Sequence, residues 1–316
     1  MNKFFKLALS ALTLSVIIST PMYANENCTL DEDTLDKISK IGFNKIFSQD
    51  PKLEIAEFFN KHTKYSTEHK LEKLDGLYSE GYINSDGFDK QTYLGMIKKT
   101  WDLYPVINYA TTIKDITIDG SYAVVQVKET AIGETKDEFE NIKEKGLIES
   151  NSYVFYFLQK QSKDWQITSS MVVSETTALK YGDAKNLNLS ISSPSQVKEG
   201  EEYTALVSLD MPKQAFILAS ISNEPIVYPQ KQPQEVFRNI KRDGVLERVF
   251  KANKKGYNEY AIASVGITKA SVNDTKNINI NITGMAFLMS RVNVLKVKDS
   301  VSPDTKEATN TLNGKG

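Results

Sequence analysis

The chain has 316 residues, with 39 lysines and arginines against 40 aspartates and glutamates, and its formal net charge at pH 7 is −1. No basic stripe interleaves with its aromatic residues, so we expect no nucleic-acid partner. The single cysteine cannot form a disulfide within the chain, so apolar packing has to hold the fold together.

Residues 1–24 have the layout of a signal peptide. Lys3 and Lys6 precede an apolar stretch at 7–18, and Ala24 offers a cleavage point. That stretch of about 12 residues is shorter than the roughly 17 to 25 needed to cross a bilayer. We therefore expect an exported bacterial protein that is periplasmic, extracellular or at the cell surface after cleavage. A permanent membrane anchor is the alternative.

The two ends of the exported chain are predicted to lie outside its domains. Residues 25–49 are expected to form an N-terminal arm with a short helix, and Cys28 in that arm is either unused or joins two chains. Residues 299–316 have almost no large apolar side chains, so we expect a disordered tail.

Residues 50–182 are predicted to begin with two helices. Asp50-Pro51 is typical of a helix start, and apolar residues then recur at helical spacing as far as Gly81. The polar segment 61–70 is a point at which this helix can kink or break. Asp89 is predicted to cap the second helix.

Strands are predicted after these helices, because the apolar period changes from helical spacing to two. Asp119-Gly120 is expected to form the turn of a first hairpin, and a second hairpin follows. The polar, acidic stretch 133–149 is expected to interrupt the sheet. Helices followed by antiparallel strands predict an α+β class. The four β-rich runs cover 107–118, 122–131, 153–159 and 165–173.

Residues 183–298 are predicted to form an all-β second domain. Ile278, Ile280 and Ile282 alternate with asparagines, which is typical of a strand with one buried face. About seven strands over roughly 110 residues favour an immunoglobulin-like β-sandwich.

Four phrases in the first domain carry a family resemblance: Leu77-Tyr78, Asp86-Gly87-Phe88-Asp89, the stretch 119–125, and the hairpin from 153–158 to 164–167. Together they resemble the nuclear transport factor 2-like superfamily over about residues 50–180. This resemblance implies a cone, in which helices are cupped in a strongly bent antiparallel sheet. The superfamily includes isomerases, dehydratases, polyketide cyclases and non-enzymatic association domains, so the fold leaves the function open.

Most catalytic chemistry has no support in the sequence. His62 and His69 would lie about 10 Å apart on a continuous helix, too far to share one metal ion. We expect both to be partly exposed on the helix surface. The chain has no Gly-x-Ser-x-Gly elbow and no glycine-rich phosphate loop. We therefore assign no catalytic residue, no metal and no cofactor from the sequence.

The resemblance nevertheless implies a candidate cone pocket. Isomerase-like members of the superfamily place a carboxylate and a tyrosine inside the cone, where apolar surroundings raise the carboxyl pKa. Glu129 shares a strand face with Val125 and Val127, so it is the carboxylate expected to point inward. The alternatives are a solvent-exposed glutamate with core tyrosines, or a pocket for a small apolar ligand. The candidate pocket residues are Tyr78, Tyr93, Glu129, Tyr156 and Ser169.

The two predicted domains differ in charge. Lysine and arginine number 19 against 26 acidic residues in 25–182, and 16 against 11 in 183–298. This difference favours a protein partner, self-association or attraction to an anionic envelope surface. Chance, with all charges solvated, explains it equally well. The candidate basic contact surface contains Arg238, Lys241, Arg242, Arg248, Lys251 and Lys254.

The leading hypothesis is an exported, non-catalytic binding or scaffold protein. Its cone would associate or capture a small apolar ligand, and its sandwich would contact a partner. The alternative is an isomerase-like or dehydratase-like enzyme that uses a carboxylate and a tyrosine in the cone. The observation that would favour the enzyme is Glu129 in an enclosed cavity, within hydrogen-bonding reach of a tyrosine.

The export hypothesis predicts a mature protein that starts near Asn25 and is recovered from an exported fraction. The reason is the order of Lys3, Lys6, the apolar stretch and Ala24. N-terminal sequencing of the natural protein measures this directly. An intact Met1 on cytosolic protein would contradict it.

Overall fold

The structure is a computed structural model, and it describes residues 50–211, 215–272 and 278–296. The predicted signal peptide, the N-terminal arm with Cys28 and the C-terminal tail lie outside these residues. Within the described ranges, no helix combines the length and the apolar character needed to cross a membrane. We call 50–182 the first part and 183–296 the second part.

The described residues form three α-helices, thirteen β-strands and a short 3-10 helix, Asp183–Asn186. The helices are α1 (Pro51–Thr67), α2 (Leu71–Asp75) and α3 (Lys90–Leu103). The strands are β1 (Tyr78–Asn84), β2 (Asn108–Asp119), β3 (Tyr122–Phe139), β4 (Glu144–Gln161), β5 (Asp164–Gly182), β6 (Leu189–Ser192), β7 (Gln196–Lys198), β8 (Glu202–Leu209), β9 (Ala215–Pro225), β10 (Arg238–Asn239), β11 (Val245–Lys251), β12 (Glu259–Val272) and β13 (Ile278–Leu295).

The predicted α+β class is wrong, because the protein is mostly β. Strands contain 59% of the described residues and helices 17%, and the main element is a large antiparallel sheet. The acidic stretch 133–149 does not interrupt this sheet, since β3 and β4 continue through most of it. Its polar residues alternate with buried Thr135, Phe139 and Ile148, so the pattern is that of a strand with one exposed face.

Helix boundaries follow the local signals only in part. The Asp50 carboxylate accepts a hydrogen bond from the Lys52 amide at 2.9 Å, and Asp89 caps α3 through the Thr92 amide at 2.8 Å, both as predicted. The first helix breaks within the predicted polar segment, where His69 has a φ of 53°. The expected continuation to Gly81 is wrong, because β1 forms there instead.

One sheet of ten strands runs through both parts of the chain. Its main order is β10-β9-β12-β13-β5-β4-β3-β2, while β1 also pairs with β5 and β7 with β13. The antiparallel pairing of β5 with β13 crosses the predicted domain boundary, with Thr176 opposite Ser290 and Gly182 opposite Gly284. A second sheet has the order β11-β8-β6. The immunoglobulin-like assignment of the second part remains a prediction.

Two apolar cores stabilise this arrangement. The first contains residues of all three helices and of β1 to β5, and it also takes Tyr260 and Phe287 from the second part. The second core lies between the two sheets and includes Val207 from β8 and Ala263 from β12. The first part therefore does not close its own core, since two large aromatic rings come from beyond residue 182.

A buried ion pair also joins the two parts. Arg291 on β13 donates from Nη2 to Oδ1 of Asp86 at 2.5 Å and from Nη1 to Oδ2 at 3.1 Å. The arginine side chain is 0% exposed and the aspartate side chain 5%. The Asn258 side-chain amide donates to the same aspartate at 2.7 Å. The two-point contact of Arg291 fixes the loop after β1 against β13.

Replacement of Arg291 by Gln should lower the free energy of unfolding by about 3 to 5 kcal/mol, because Asp86 is left buried without its counter-charge. The double variant Asp86→Asn with Arg291→Gln should lose less, since neither charge remains. Urea unfolding measures both.

The control for this prediction is Lys98→Gln, which breaks the exposed Lys98–Asp102 pair of 3.1 Å. Exposed pairs contribute about 0 to 1 kcal/mol, so this variant should stay near wild type. Equal losses in Arg291→Gln and Lys98→Gln would show that the Asp86–Arg291 contact does not hold the two parts together.

Candidate functional site

Glu129 lies in the middle of β3 and points into the first core. It is 1% exposed, and its strand neighbours on the same face, Val127 and Ala131, are both 0% exposed. Strand geometry accounts for this placement, because alternate residues share one face. The apolar pattern around Glu129 therefore carries its carboxyl group into the interior.

The Glu129 carboxyl has one oxygen bound and one oxygen free. The Tyr156 hydroxyl on β4 donates to Oε1 at 3.0 Å, whereas Oε2 is buried and has no hydrogen-bond partner. Burial raises the pKa of Glu129 to about 8, although the Tyr156 hydrogen bond lowers it and the charge of Glu175 raises it further. The carboxyl group is thus largely protonated at neutral pH.

His62 and Tyr78 form a second polar pair beside this carboxyl. His62 Nε2 and the Tyr78 hydroxyl are 2.8 Å apart, and both residues are buried. Burial lowers the pKa of His62 to about 3, so its imidazole is neutral at physiological pH. The expectation of a partly exposed His62 is wrong, because Ile55, Phe59 and His62 lie on one buried face of α1.

Two more tyrosines complete the cluster. The hydroxyl oxygens of Tyr82 and Ser170 are 2.7 Å apart, and the Tyr93 ring lies 5.3 Å from the Tyr82 ring and 5.7 Å from the Tyr78 ring, centroid to centroid. Burial raises the pKa of Tyr82 and of Tyr93, so both keep their hydroxyl protons. The interior thus holds several neutral hydroxyl groups around one carboxyl.

Four of the five candidate pocket residues come together in this cluster: Tyr78, Tyr93, Glu129 and Tyr156. Ser169 does not, because its hydroxyl donates to the Ile83 carbonyl at 2.7 Å. A β-bulge explains the difference. Phe157 pairs with Ser169 but Leu158 pairs with Ile167, so Thr168 is an extra residue. The inward-facing residues of β5 therefore change from odd to even positions after it.

Sequence reasoning therefore missed three members of the cluster, His62, Tyr82 and Ser170. His62 could have been found from its spacing behind Ile55 and Phe59, which predicts the buried face of α1. Ser170 could not, because alternation from Trp165 and Ile167 points to Ser169 and nothing local marks the bulge.

Outside the cluster, a surface groove of about 650 Å³ is bordered by α2, β1 and α3. Its acidic lining includes Asp75 and Glu80, and Lys90 forms ion pairs with them at 3.2 and 2.8 Å. None of its lining residues belongs to the Glu129 cluster. The described residues contain no group of three or more histidine, cysteine, aspartate or glutamate side chains placed to hold a metal ion.

The six residues of the candidate basic contact surface are all exposed. They lie on β10, on β11 and on the connections around them. Arg248 donates to the Ile221 carbonyl, and its guanidinium lies 5.1 Å from the Phe250 ring centroid. Arg291, the remaining arginine, is buried against Asp86 and does not belong to this surface. A partner for the surface remains a prediction.

No protein-family model matches the chain, and no curated protein matches it significantly. Similar solved structures include a conserved protein from Planctomyces limnophilus (13% identity, 39% of this chain and 95% of that chain, TM-score 0.34). A putative scytalone dehydratase from Novosphingobium aromaticivorans is similar at 14% identity, with 38% of this chain, 80% of that chain and a TM-score of 0.33.

An NTF2-like protein from Cytophaga hutchinsonii is similar at 16% identity, with 39% of this chain, 98% of that chain and a TM-score of 0.30. Part of the chain thus resembles proteins described as NTF2-like.

Glu129→Gln should remove a pH dependence of stability. The pKa of Glu129 is about 8 in the folded protein, whereas a glutamate in an unfolded chain has a pKa of about 4.5, so the folded state holds a proton that the unfolded state releases between these pH values. The free energy of unfolding therefore falls as pH rises from 4.5 to 8. A difference of three to four pKa units corresponds to roughly 4 to 5 kcal/mol.

Urea unfolding at pH 5 and pH 9 measures this effect. The wild type should lose more stability between the two pH values than Glu129→Gln, since glutamine cannot ionise. Glu149→Gln, at an exposed position on β4, serves as the control and should follow the wild type. Parallel losses in wild type and Glu129→Gln would mean that the buried carboxyl does not retain its proton.

Proposed function

We propose that the chain is a proton-transferring enzyme of the isomerase or dehydratase type, with Glu129 as its acid and base. One observation carries the proposal: the buried carboxyl is held at one oxygen by Tyr156 and has its other oxygen without a partner. A pKa close to neutrality supports this role, because such a group can both accept and return a proton.

The chemistry follows from the two states of that carboxyl. Its ionised form removes a proton from a substrate carbon through the free oxygen, while Tyr156 keeps the other oxygen in place. In an isomerisation the same proton returns to another carbon of the substrate. In a dehydration it leaves with the departing hydroxyl group as water. Glu129 regains its starting state in both reactions.

Neutral hydroxyl groups support the second requirement of such a reaction, which is stabilisation of charge that develops on a substrate oxygen. Tyr78 and Tyr82 are buried phenols that stay protonated, because burial raises their pKa values. Preorganised donors in a water-excluded site stabilise a developing oxyanion strongly. His62 orients Tyr78, and Ser170 orients Tyr82.

A purely structural role explains the cluster less well. A buried polar atom without a partner costs stability, and a glutamine or a methionine at position 129 would avoid the burial of an ionisable group. The cluster is closed to solvent, because its members Tyr78, Tyr93, Glu129 and Tyr156 are at most 1% exposed. A substrate therefore enters only when some of the side chains that cover the cluster move. We take the enzyme over the binding hypothesis because an unpartnered carboxyl suits proton transfer better than capture of an apolar ligand.

Exchange of substrate C–H hydrogen for solvent deuterium, followed by NMR in D2O, tests the proposal. Small neutral ketones and hydroxy-ketones are the substrates, since they have acidic C–H groups. Glu129→Gln should lower exchange by about 10²- to 10⁴-fold, the usual contribution of a general acid or base. Its amide keeps the shape but cannot accept the proton.

Ser169→Ala is the matched control, because this hydroxyl lies outside the cluster and contacts only the Ile83 carbonyl in the described hydrogen bonds. It should exchange substrate hydrogen at the wild-type rate. Equal exchange by wild type and Glu129→Gln would contradict the role of Glu129. No exchange by the wild type across the whole set would contradict the enzyme proposal.

A further inference from the structure

Glu129 belongs to a row of buried polar residues that crosses three strands. It lies directly opposite Ser152 on β4, and Ser152 lies opposite Glu175 on β5. All three are at most 3% exposed. Neighbouring strands are about 4.8 Å apart, so the two glutamates are separated by roughly 10 Å along the sheet. A second buried carboxyl group thus lies on the same face as the first.

Glu175 is held by residues of the second part. The Tyr260 hydroxyl on β12 donates to its Oε2 at 3.0 Å, whereas Oε1 is buried without a partner. Burial raises the pKa of Glu175 to about 7. The charge of Arg291 and the Tyr260 hydrogen bond lower this pKa, whereas the charge of Asp86 raises it. The first part supplies this glutamate and Asp86, and the second part supplies Tyr260 and Arg291, which lower the pKa of the glutamate.

The groups around Glu129 differ in how they respond to pH. Tyr156, Tyr78, Tyr82 and Tyr93 face it from β4, β1 and α3, and burial raises all four pKa values, so these phenols stay neutral. His62 on α1 also stays neutral, because burial lowers its pKa to about 3. These neighbours therefore keep the same charge near neutral pH, whereas the charge of Glu175 changes there because its pKa is about 7.

We propose that Glu175 is a positioning residue for the Glu129 site, through which Tyr260, Arg291 and Asp86 control how firmly Glu129 holds its proton. The inference rests on the proposed function for its catalytic meaning. Burial is the main reason that Glu129 holds its proton, and an ionised Glu175 raises the pKa of Glu129 further because the two negative charges repel each other. A neutral Glu175 removes this added contribution. Tyr260 and Arg291 of the second part thereby shift the pH at which the site can act as a base.

The test is a carboxyl titration by NMR of protein labelled with carboxyl-¹³C glutamate, with signals assigned from Glu129→Gln and Glu175→Gln. In Glu175→Gln the midpoint of Glu129 should move to lower pH by roughly one unit, the size expected for two charges at this spacing in a protein interior. Glu149→Gln, exposed on β4, is the control and should leave both midpoints unchanged.

Tyr260→Phe provides a second arm that keeps Glu175 and the packing of the aromatic ring. Loss of the hydrogen bond should raise the midpoint of Glu175, and Glu129 should then titrate at lower pH because it feels less charge. This arm decides the matter if Glu175→Gln fails to fold. A Glu129 midpoint that does not move in either variant would overturn the proposal.

The titration needs no substrate, so its outcome is separate from that of the deuterium exchange. Coupled midpoints together with an inactive protein would contradict the enzyme and leave the coupling standing. Deuterium exchange that depends on Glu129, together with a Glu129 midpoint that does not move in either variant, would support the enzyme but show that Glu175 has no role in its site.

Discussion

The pairing of β5 with β13 is the constraint on which the rest of the structure depends. It continues the sheet of the first part into the second, across the point at which the chain was expected to divide. Because the two strands are fixed in register, Arg291 is brought to Asp86, and Tyr260 on the next strand is brought to Glu175. Backbone pairing therefore decides which charges meet in the interior.

Burial of these charged groups opposes folding. The structure offsets this cost more fully for the Asp86–Arg291 pair than for the two glutamates. Asp86 and Arg291 satisfy each other through two hydrogen bonds, so their desolvation is largely offset. Glu129 and Glu175 each receive one tyrosine hydrogen bond and keep one oxygen without a partner. The protein lowers this cost by protonation near neutral pH, which is also the property that acid–base chemistry requires.

Local signals predicted the helix starts, but they missed β1 and the continuation of β3 and β4, and non-local pairing decided the architecture. Asp89 predicted its helix correctly because a cap needs only the next few residues. The inward direction of Ser170 depends on a bulge at Thr168, which has no marker in the sequence. His62 was readable from its helical spacing. The contact between Asp86 and Arg291 joins residues 205 positions apart, so no local pattern could indicate it.

The candidate site in the first part depends on residues of the second part. Within residues 50–182 alone, the last residues of β5 would lose their β13 partners and form an open sheet edge. Asp86 would lose its counter-charge, and Glu175 would lose its tyrosine. Water would then reach the polar row from Glu175 toward Glu129 and would weaken the effect of burial on both carboxyl groups. The chemistry of the first part is thus a property of the whole sheet, and the second part closes the core in which Glu129 keeps its proton.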